Sequence, residues 1–214
     1  MSSVLTKYDR LADQFAERSY ANLAFYMHRQ LEIATSWGPP VRPGDSILEL
    51  GCGDGYLAQL FLQYGVRYRG VDVSPQMIAM GRRRSRDSGV LGDFMVADVG
   101  DMPLTESFDA VVSYMGTFFT YVQSPVAVLK RLRPLIHKKL LVDLNPRRDM
   151  PVERAIALLG EAGFRNVVWR PFLVPKEKRL PDWLLKTFVL CEEIPLVRSV
   201  PLRWKFSCLL MGEP

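Results

Sequence analysis

The stretch SILELGCGDGYLAQL, residues 46–60, places three glycines in five positions between two apolar segments. Its first part, SILEL, has the composition of an ordinary core strand, and YLAQL after the glycines reads as a helix. Glycine has no Cβ, so the glycines at positions 51, 53 and 55 let the chain turn sharply and let a ligand approach the backbone closely. The stretch therefore predicts a strand, a tight turn and a helix, with a ligand where they meet.

The same alternation of strand and helix continues outside this stretch. Runs that suit strands lie at 46–50, 67–72, 93–97, 108–113, 138–144 and 164–169, and helix-length segments lie at 55–64, 75–86, 123–132 and 151–162. Such alternation is typical of parallel βαβ units whose sheet is covered by helices on both faces. With one more strand near the C-terminus, we predict an α/β fold with a doubly wound, seven-stranded, mostly parallel sheet.

The 214 residues are predicted to form one domain. Its parts are an N-terminal helical cap (1–40), a cofactor-binding core (41–174), an insertion that interrupts the alternation (175–202) and the last strand (203–214). In the cap, an apolar stripe that runs through Leu23, Met27, Leu31 and Ala34 predicts the buried face of a helix.

The composition favours a cytoplasmic protein and gives no sign of a metal site. Cys52, Cys191 and Cys208 are too few and too scattered for a disulfide framework or a metal cluster. The sequence has no apolar run of the ~20 residues that span a bilayer, and its charged start does not suit a signal segment. The net charge of +5 is compatible with nucleic acid, anionic lipid or phosphorylated substrates, without choosing among them.

The spacing of the glycines argues against a dinucleotide. A dinucleotide site reads G-x-G-x-x-G and places a pyrophosphate on the N-terminus of the helix. Here the run is GCGDG, with Glu49 before it and Asp54 within it. These acids would repel a phosphate and would suit a cationic, zwitterionic ligand.

The motif ELGCGDG resembles the first motif of the class I S-adenosylmethionine-dependent methyltransferases, an acidic residue followed by x-G-x-G-x-G, at every defined position. The order of elements resembles that family from about Tyr8 to Gly212. The start YDRLADQF resembles the N-terminal helix of its small-molecule branch, types 11 and 25. The resemblance implies a Rossmann-like methyltransferase fold, S-adenosyl-L-methionine as cofactor, and methyl transfer by direct in-line displacement.

The resemblance also implies which residues contact the cofactor. Asp72 ends the second strand 17 residues after Gly55, near the ~20 expected of an acid that binds the ribose hydroxyls. In the family, the residue at the place of Asp98 receives the adenine amine. The segment SYMGTFF, which contains Tyr114, is expected to line the methionine end. The full predicted set is Glu49, Gly51, Cys52, Gly53, Gly55, Asp72, Val73, Met77, Ala97, Asp98, Val99 and Tyr114.

Catalytic residues are harder to predict, because a sulfonium carries its own leaving group and the protein mainly orients the reactants. His28 lies on the cap helix, where the family has its lid, and is the first candidate for a base. His137 is read as a turn residue. Tyr114 and Tyr121 could orient an acceptor, and could equally form hydrophobic wall.

Missing motifs narrow the choice of acceptor. The segment after the fourth strand, SYMGTFFTY, lacks the N/D-P-P-Y/F motif of adenine and glutamine methyltransferases, and no cysteine suits a cytosine-C5 methyltransferase. We therefore predict a small aromatic or lipophilic biosynthetic metabolite, methylated on O, N or C. Two alternatives stay open: an RNA methyltransferase and a non-catalytic cofactor-binding subunit that activates a partner. The basic run RRRSR at 82–86 lacks the aromatic residues of a nucleic-acid patch, so nucleic acid is the less favoured partner.

The insertion contains the apolar block WLLKTFVLC among prolines and basic residues. One interpretation is that it packs over the sheet edge or forms the contact of a homodimer. The other is that it covers a lipophilic acceptor and touches a membrane surface through residues 175–205, where basic residues would meet anionic headgroups. The sequence leaves both open.

Overall fold

The computed structural model describes residue 16 and residues 19–103, 105–114, 117–199 and 207–214. The predicted first cap helix, Met115, Gly116 and the start of the last strand lie outside these ranges. The described strands form one sheet in the order β3-β2-β1-β4-β5-β7-β6. They are β1 (Ser46–Leu50), β2 (Arg67–Asp72), β3 (Asp93–Val96), β4 (Phe108–Ser113), β5 (Ile136–Leu144), β6 (Arg165–Phe172) and β7 (Ser207–Glu213).

The strands β1 to β5 run parallel to one another, and β7 runs antiparallel between β5 and β6. The predicted fold class, a doubly wound and mostly parallel seven-stranded sheet, is confirmed. The order of strands reverses between β1 and β4, so the carboxyl ends of these two strands border the crevice in which such sheets bind ligands.

Helices cover both faces of the sheet. They are α1 (Leu23–Ser36), α2 (Tyr56–Tyr64), α3 (Pro75–Asp87), α4 (Thr117–Tyr121), α5 (Pro125–Leu132), α6 (Val152–Glu161), α7 (Asp182–Glu192) and α8 (Pro195–Ser199). Buried side chains of α1 and α2 form one core cluster, and those of α5 and α6 form another. No helix within the described ranges is long and apolar enough to cross a membrane.

The sheet register decides which side chains face α1. Glu49 on β1 pairs with Val112 on β4, and Val112 pairs with Leu141 on β5. Because side chains alternate along a strand, Tyr114 and Asp143, two positions further on, point to the same face as these residues. The buried residues of α1 cover that face.

The buried face of α1 is shifted from the predicted stripe. Met27 and Ala34 are buried as predicted. Leu31 is only partly buried, and the neighbouring Gln30 is buried in its place. The physical reason is that α7 also packs on α1. The guanidinium of Arg29 donates to the fully buried carboxylate of Glu192 at 2.8 Å, which turns this side of α1 inward.

Candidate functional site

The glycine turn between β1 and α2 has the backbone geometry that the sequence predicts. Gly51, Gly53 and Gly55 have φ angles of 74°, 55° and 74°, in the left-handed region that side chains with a Cβ rarely adopt. Gly55 has a second reason to be glycine, because a Cβ there would lie 2.6 Å from the Cα of Gly81 on α3. Gly55 therefore permits close packing of two helices, and Gly51 and Gly53 shape the turn.

Asp72, at the end of β2, stabilises this turn. Its Oδ2 accepts from the N–H of Gly53 at 2.9 Å, and its Oδ1 accepts from the N–H of Ser74 at 2.9 Å. A carboxylate oxygen can accept more than one hydrogen bond, so these contacts leave capacity for ligand hydroxyls. Its backbone oxygen accepts from the N–H of Ala97 at 3.0 Å, which fixes the end of β3 beside the turn.

Glu49 is completely buried just before the turn. Its Oε2 accepts from the hydroxyl of Tyr68 at 2.6 Å, whereas its Oε1 has no hydrogen-bond partner among the residues described. The pKa of Glu49 is raised to about 8, mainly by burial and also by the charges of Asp72 and Asp54, although the hydrogen bond from Tyr68 lowers it. A ligand with a positive charge and N–H donors fits this oxygen, so the residues present suit the zwitterionic cofactor that the motif implies.

Cys52 lies inside the turn and is 2% exposed. Burial raises the pKa of its thiol well above the usual value, and the charges of Asp72 and Glu49 add to the effect. The thiol therefore stays protonated at neutral pH and does not act as a nucleophile. Its predicted role as a residue that borders the cofactor stays a prediction.

Asp54, the acid within the glycine turn, is buried at 3% exposure. The structural reason is an ion pair with Arg84 of α3 at 3.1 Å. Arg82, of the same basic run, donates to the backbone oxygen of Phe94 at 2.6 Å. Two arginines of this run are thus engaged within the protein.

The predicted adenine-side residues lie at the carboxyl ends of β2 and β3. The Oδ1 of Asp98 accepts from the N–H of Gly100 at 2.7 Å, which organises the loop after β3. Met77, in the first turn of α3, is 1% exposed, and its N–H donates to the Ser74 hydroxyl that caps the helix. The remaining predicted members of this side are Val73, Ala97 and Val99, all partly exposed.

Tyr114 follows the last residue of β4 and is completely buried under α1. Its hydroxyl donates to the backbone oxygen of Gln30 at 3.3 Å. Burial raises the pKa of its phenol well above the usual value, and the negative charges of Glu49 and Asp143 raise it further. Tyr114 is thus a neutral donor between two carboxylates.

Asp143 was not among the predicted site residues. It is 5% exposed near the carboxyl end of β5, and the register of Ser113 with Val142 places it next to Tyr114. The sequence signal was available in LLVDLNP, where a single acid interrupts an apolar strand. Buried carboxylates beside a ligand crevice are candidates for proton transfer.

The other two predicted catalytic residues lie elsewhere. His28 is exposed, and its Nδ1 lies 2.8 Å from the backbone oxygen of Ala24 on its own helix. It lines a groove of about 700 Å³ between α1 and α7, together with Lys186 and Leu190. Tyr121 is 45% exposed at the end of α4. Their catalytic roles stay predictions.

Comparisons with known proteins agree on the class of protein. Residues 47–139 match the family model described as "Methyltransferase domain". A ubiquinone biosynthesis O-methyltransferase of Xanthomonas campestris pv. campestris is 26% identical over 150 residues, which are 66% of this chain and 61% of the relative. The match therefore spans less than two thirds of that relative's length.

Solved structures share the fold at low sequence identity. The cyclase SpnF has a TM-score of 0.71 at 14% identity, with 98% of this chain and 95% of that chain covered. Magnesium protoporphyrin IX methyltransferase of Synechocystis PCC 6803, with bound S-adenosylmethionine, has a TM-score of 0.57 at 17% identity, with 97% and 82% covered. Because the similar folds include a cyclase, the fold alone does not fix the reaction.

Proposed function

We propose that this chain, a member of the class I S-adenosylmethionine-dependent methyltransferases, methylates a hydroxyl oxygen of a small aromatic or lipophilic metabolite. The predicted family and its cofactor are confirmed by the match of residues 47–139 and by the related methyltransferases. The reaction and its acceptor are the proposal. The name of the Xanthomonas relatives, which contains "O-methyltransferase", supports oxygen over nitrogen or carbon.

One observation carries this proposal: beside a turn of glycines with positive φ, buried Glu49 has an oxygen for which the described residues provide no hydrogen-bond partner. When bound, S-adenosylmethionine supplies an electrophilic methyl group on a positively charged sulfur. Glu49 would balance positive charge at the methionine end, and Asp72 would accept from the ribose hydroxyls. Asp98 would bind at the adenine end. These roles match the charges that the strand ends present.

The acceptor is expected on the α1 face, between the ends of β4 and β5. Asp143 would receive the proton of the acceptor hydroxyl there, and Tyr114 would form the wall between it and Glu49. Glu49 is level with Leu141 across β4, and Asp143 lies two residues further along β5. With about 4.8 Å between strands and about 3.3 Å per residue, the backbones of Glu49 and Asp143 are about 12 Å apart. That separation lets one carboxylate serve the cofactor and the other serve the acceptor.

The RNA alternative receives less support. Arg84 pairs with Asp54, and Arg82 binds a backbone oxygen, so these two side chains are engaged within the fold. RNA binding would have to weaken steeply with salt, and binding that is absent or insensitive to salt would dismiss this alternative.

We extend the proposal to a peripheral contact between α7–α8 and a membrane surface on the cytoplasmic side. Trp183, Leu190 and Leu196 are 68%, 71% and 75% exposed. Exposing several large apolar side chains to water is unfavourable, so such a patch is typical of a surface that binds a membrane or another protein. Exposed Lys178 and Lys186 suit anionic headgroups.

The protein should sediment together with phosphatidylglycerol vesicles, and the variant Trp183→Ser should remain in solution. A homodimer seen by sedimentation velocity, without vesicle binding, would assign this surface to a second copy instead.

The test of the reaction has two stages. Calorimetry should first detect stoichiometric binding of S-adenosylhomocysteine, and failure to bind would contradict the proposal. Methyl-labelled S-adenosylmethionine is then incubated with a panel of phenols and catechols, and with matched thiols and anilines as controls. Label should appear in hydroxylated acceptors. Asp143→Asn should lower kcat about 100-fold with unchanged cofactor affinity, which is the effect typical of a lost general base.

A further inference from the structure

Two buried acceptor oxygens at the site have no hydrogen-bond donor among the described residues. They are Oε1 of Glu49 on β1 and Oε1 of Gln30 on α1. Glu49 is 0% and Gln30 is 1% exposed, so bulk water reaches neither. Native proteins rarely leave a buried polar oxygen without a hydrogen bond, because the hydrogen bonds that it made with water in the unfolded chain are then not replaced. Both oxygens therefore call for donors from a bound molecule.

Tyr114 lies close to both Gln30 and Glu49. Its hydroxyl donates to the backbone oxygen of Gln30 at 3.3 Å. Its ring is close enough to Glu49 for the charge of that carboxylate to act on it. Gln30 lies on the buried face of α1, and Glu49 and Tyr114 lie on the face of the sheet that α1 covers. Gln30 therefore lies over the strand ends that border the glycine turn.

The chemistry of the pair selects one kind of partner. The amide oxygen of Gln30 can only accept. The Glu49 oxygen becomes an acceptor when its carboxyl group, which burial keeps neutral without a ligand, loses its proton. A hydroxyl has a single donor and no charge, so it would satisfy only one oxygen. An ammonium group has three donors and a positive charge, so one group would serve both oxygens and favour the ionised carboxylate.

We propose that Gln30 is a cofactor-binding residue, whose amide oxygen, together with the carboxylate of Glu49, receives the α-ammonium group of the methionine moiety. The inference rests on the proposed function, because it takes the family's cofactor as the ligand. In this arrangement α1 forms one wall of the cofactor site, and the side chain of Gln30 binds the amino group. No bond is made or broken in this step.

The experiment compares two ligands that differ only in this amino group. S-adenosylhomocysteine carries it, and its deamino analogue has hydrogen in its place. Calorimetry with both is done on the wild-type protein, on Gln30→Met, which keeps the length of the side chain, and on Gln63→Met, a control at an exposed glutamine of α2. Gln30→Met should weaken S-adenosylhomocysteine about 10-fold and leave the analogue within twofold, since only the first ligand loses a hydrogen bond from a charged group.

Other results would contradict either the role of Gln30 or the proposed function. Equal weakening of both ligands by Gln30→Met, or no weakening of either, would overturn the inference. If that variant does not fold, Gln30→Glu, which retains an acceptor oxygen, should keep at least the wild-type preference for the amino group. Loss of that preference in Gln30→Glu would also overturn the inference. A wild-type protein that binds neither ligand would instead contradict the proposed function.

Discussion

The buried polar groups at the two ends of β1 differ in whether described residues of the chain satisfy their hydrogen bonds. At the amino end, Asp109 accepts from the N–H and the hydroxyl of Ser46 at 2.9 and 3.0 Å, and Lys138 pairs with Asp45 at 2.5 Å. At the carboxyl end, Glu49 has one oxygen that no described residue satisfies. The amino end is thus complete without a ligand, and the carboxyl end is not. Polar groups that the chain itself satisfies stabilise the fold, and those left open mark the site.

The largest expected effect comes from a matched pair of glycines, one at each end of the strand. Gly53 has φ 55° in the turn, and Gly44 has φ 90° at the amino end, where a Cβ would have nothing within 4 Å of it. Valine at either position should lower the free energy of unfolding by about 1–2 kcal/mol. Only Gly53→Val should also weaken S-adenosylhomocysteine, by about 100-fold or more, since its side chain enters the ligand's space.

Urea denaturation and calorimetry of both variants check this prediction. Gly53→Val with near wild-type affinity would show that the backbone of the turn does not approach the ligand. Equal loss of affinity in Gly44→Val would show that strain alone explains the effect.

A second pair compares carboxylates. Asp72→Ala should weaken S-adenosylhomocysteine by more than ~1 kcal/mol, because it removes the acceptor for the ribose hydroxyls and the contacts with Gly53 and Ser74. Asp109→Ala at the amino end should lower stability by about 1–2 kcal/mol and leave affinity unchanged. Calorimetry and thermal unfolding separate the two effects. Unchanged affinity in Asp72→Ala would refute its assignment.

A smaller effect is expected from the proton on Glu49. Its pKa of about 8 leaves it largely protonated at pH 7, and a bound cation should lower that pKa, so binding should release close to one proton. Calorimetry of S-adenosylhomocysteine in two buffers with different heats of ionisation measures this release. Glu49→Gln should abolish it. In the wild-type protein, affinity should rise from pH 6 to about pH 8 and then level off.

The same group gives a stability prediction with a definite sign. The unfolded chain loses the Glu49 proton near pH 4.5, whereas the folded, ligand-free protein keeps it until about pH 8. The folded state therefore binds more protons in this window, and this group's contribution to stability falls as pH rises. Glu49→Gln should flatten that fall in thermal unfolding experiments. An identical pH profile in the variant would contradict the assigned burial effect.

The smallest effect is expected at the amino end. Burial alone would raise the pKa of Asp45, but hydrogen bonds from Lys138 and the N–H of Arg42 lower it below its usual value. The stabilisation that Asp45 contributes to the folded state is present above the ordinary aspartate pKa, and it is lost as pH falls through the lowered pKa of the folded state. Lys138→Met should cost about 0.5–1 kcal/mol in low salt and less in high salt, with affinity unchanged. A change of affinity would break the contrast between the two ends.

The strands and helices were predictable because each depends on a local pattern. The run SILEL became β1, and the segment predicted as a helix at 75–86 became α3, which Ser74 caps. The turn was predictable for the same reason, since positive φ at Gly51, Gly53 and Gly55 is a property of residues next to one another in the chain.

The burial of Asp54 and the position of Asp143 were not predictable in this way. Asp54 is buried because Arg84 comes from another helix, and Asp143 meets Tyr114 because β4 and β5 are neighbours in the sheet. Gln30 faces inward because Arg29 pairs with Glu192, a residue far along the chain. A helical pattern of apolar residues contains no information about such a distant partner.

The alternating elements, the glycine turn and the acids at three successive strand ends were predictable from the sequence, because these features depend on neighbours along the chain. Which polar atoms find partners inside the protein, and which do not, depends on the tertiary structure. Packing between segments that are distant in sequence removes a polar atom from water. The same packing determines whether a hydrogen-bond partner replaces that water.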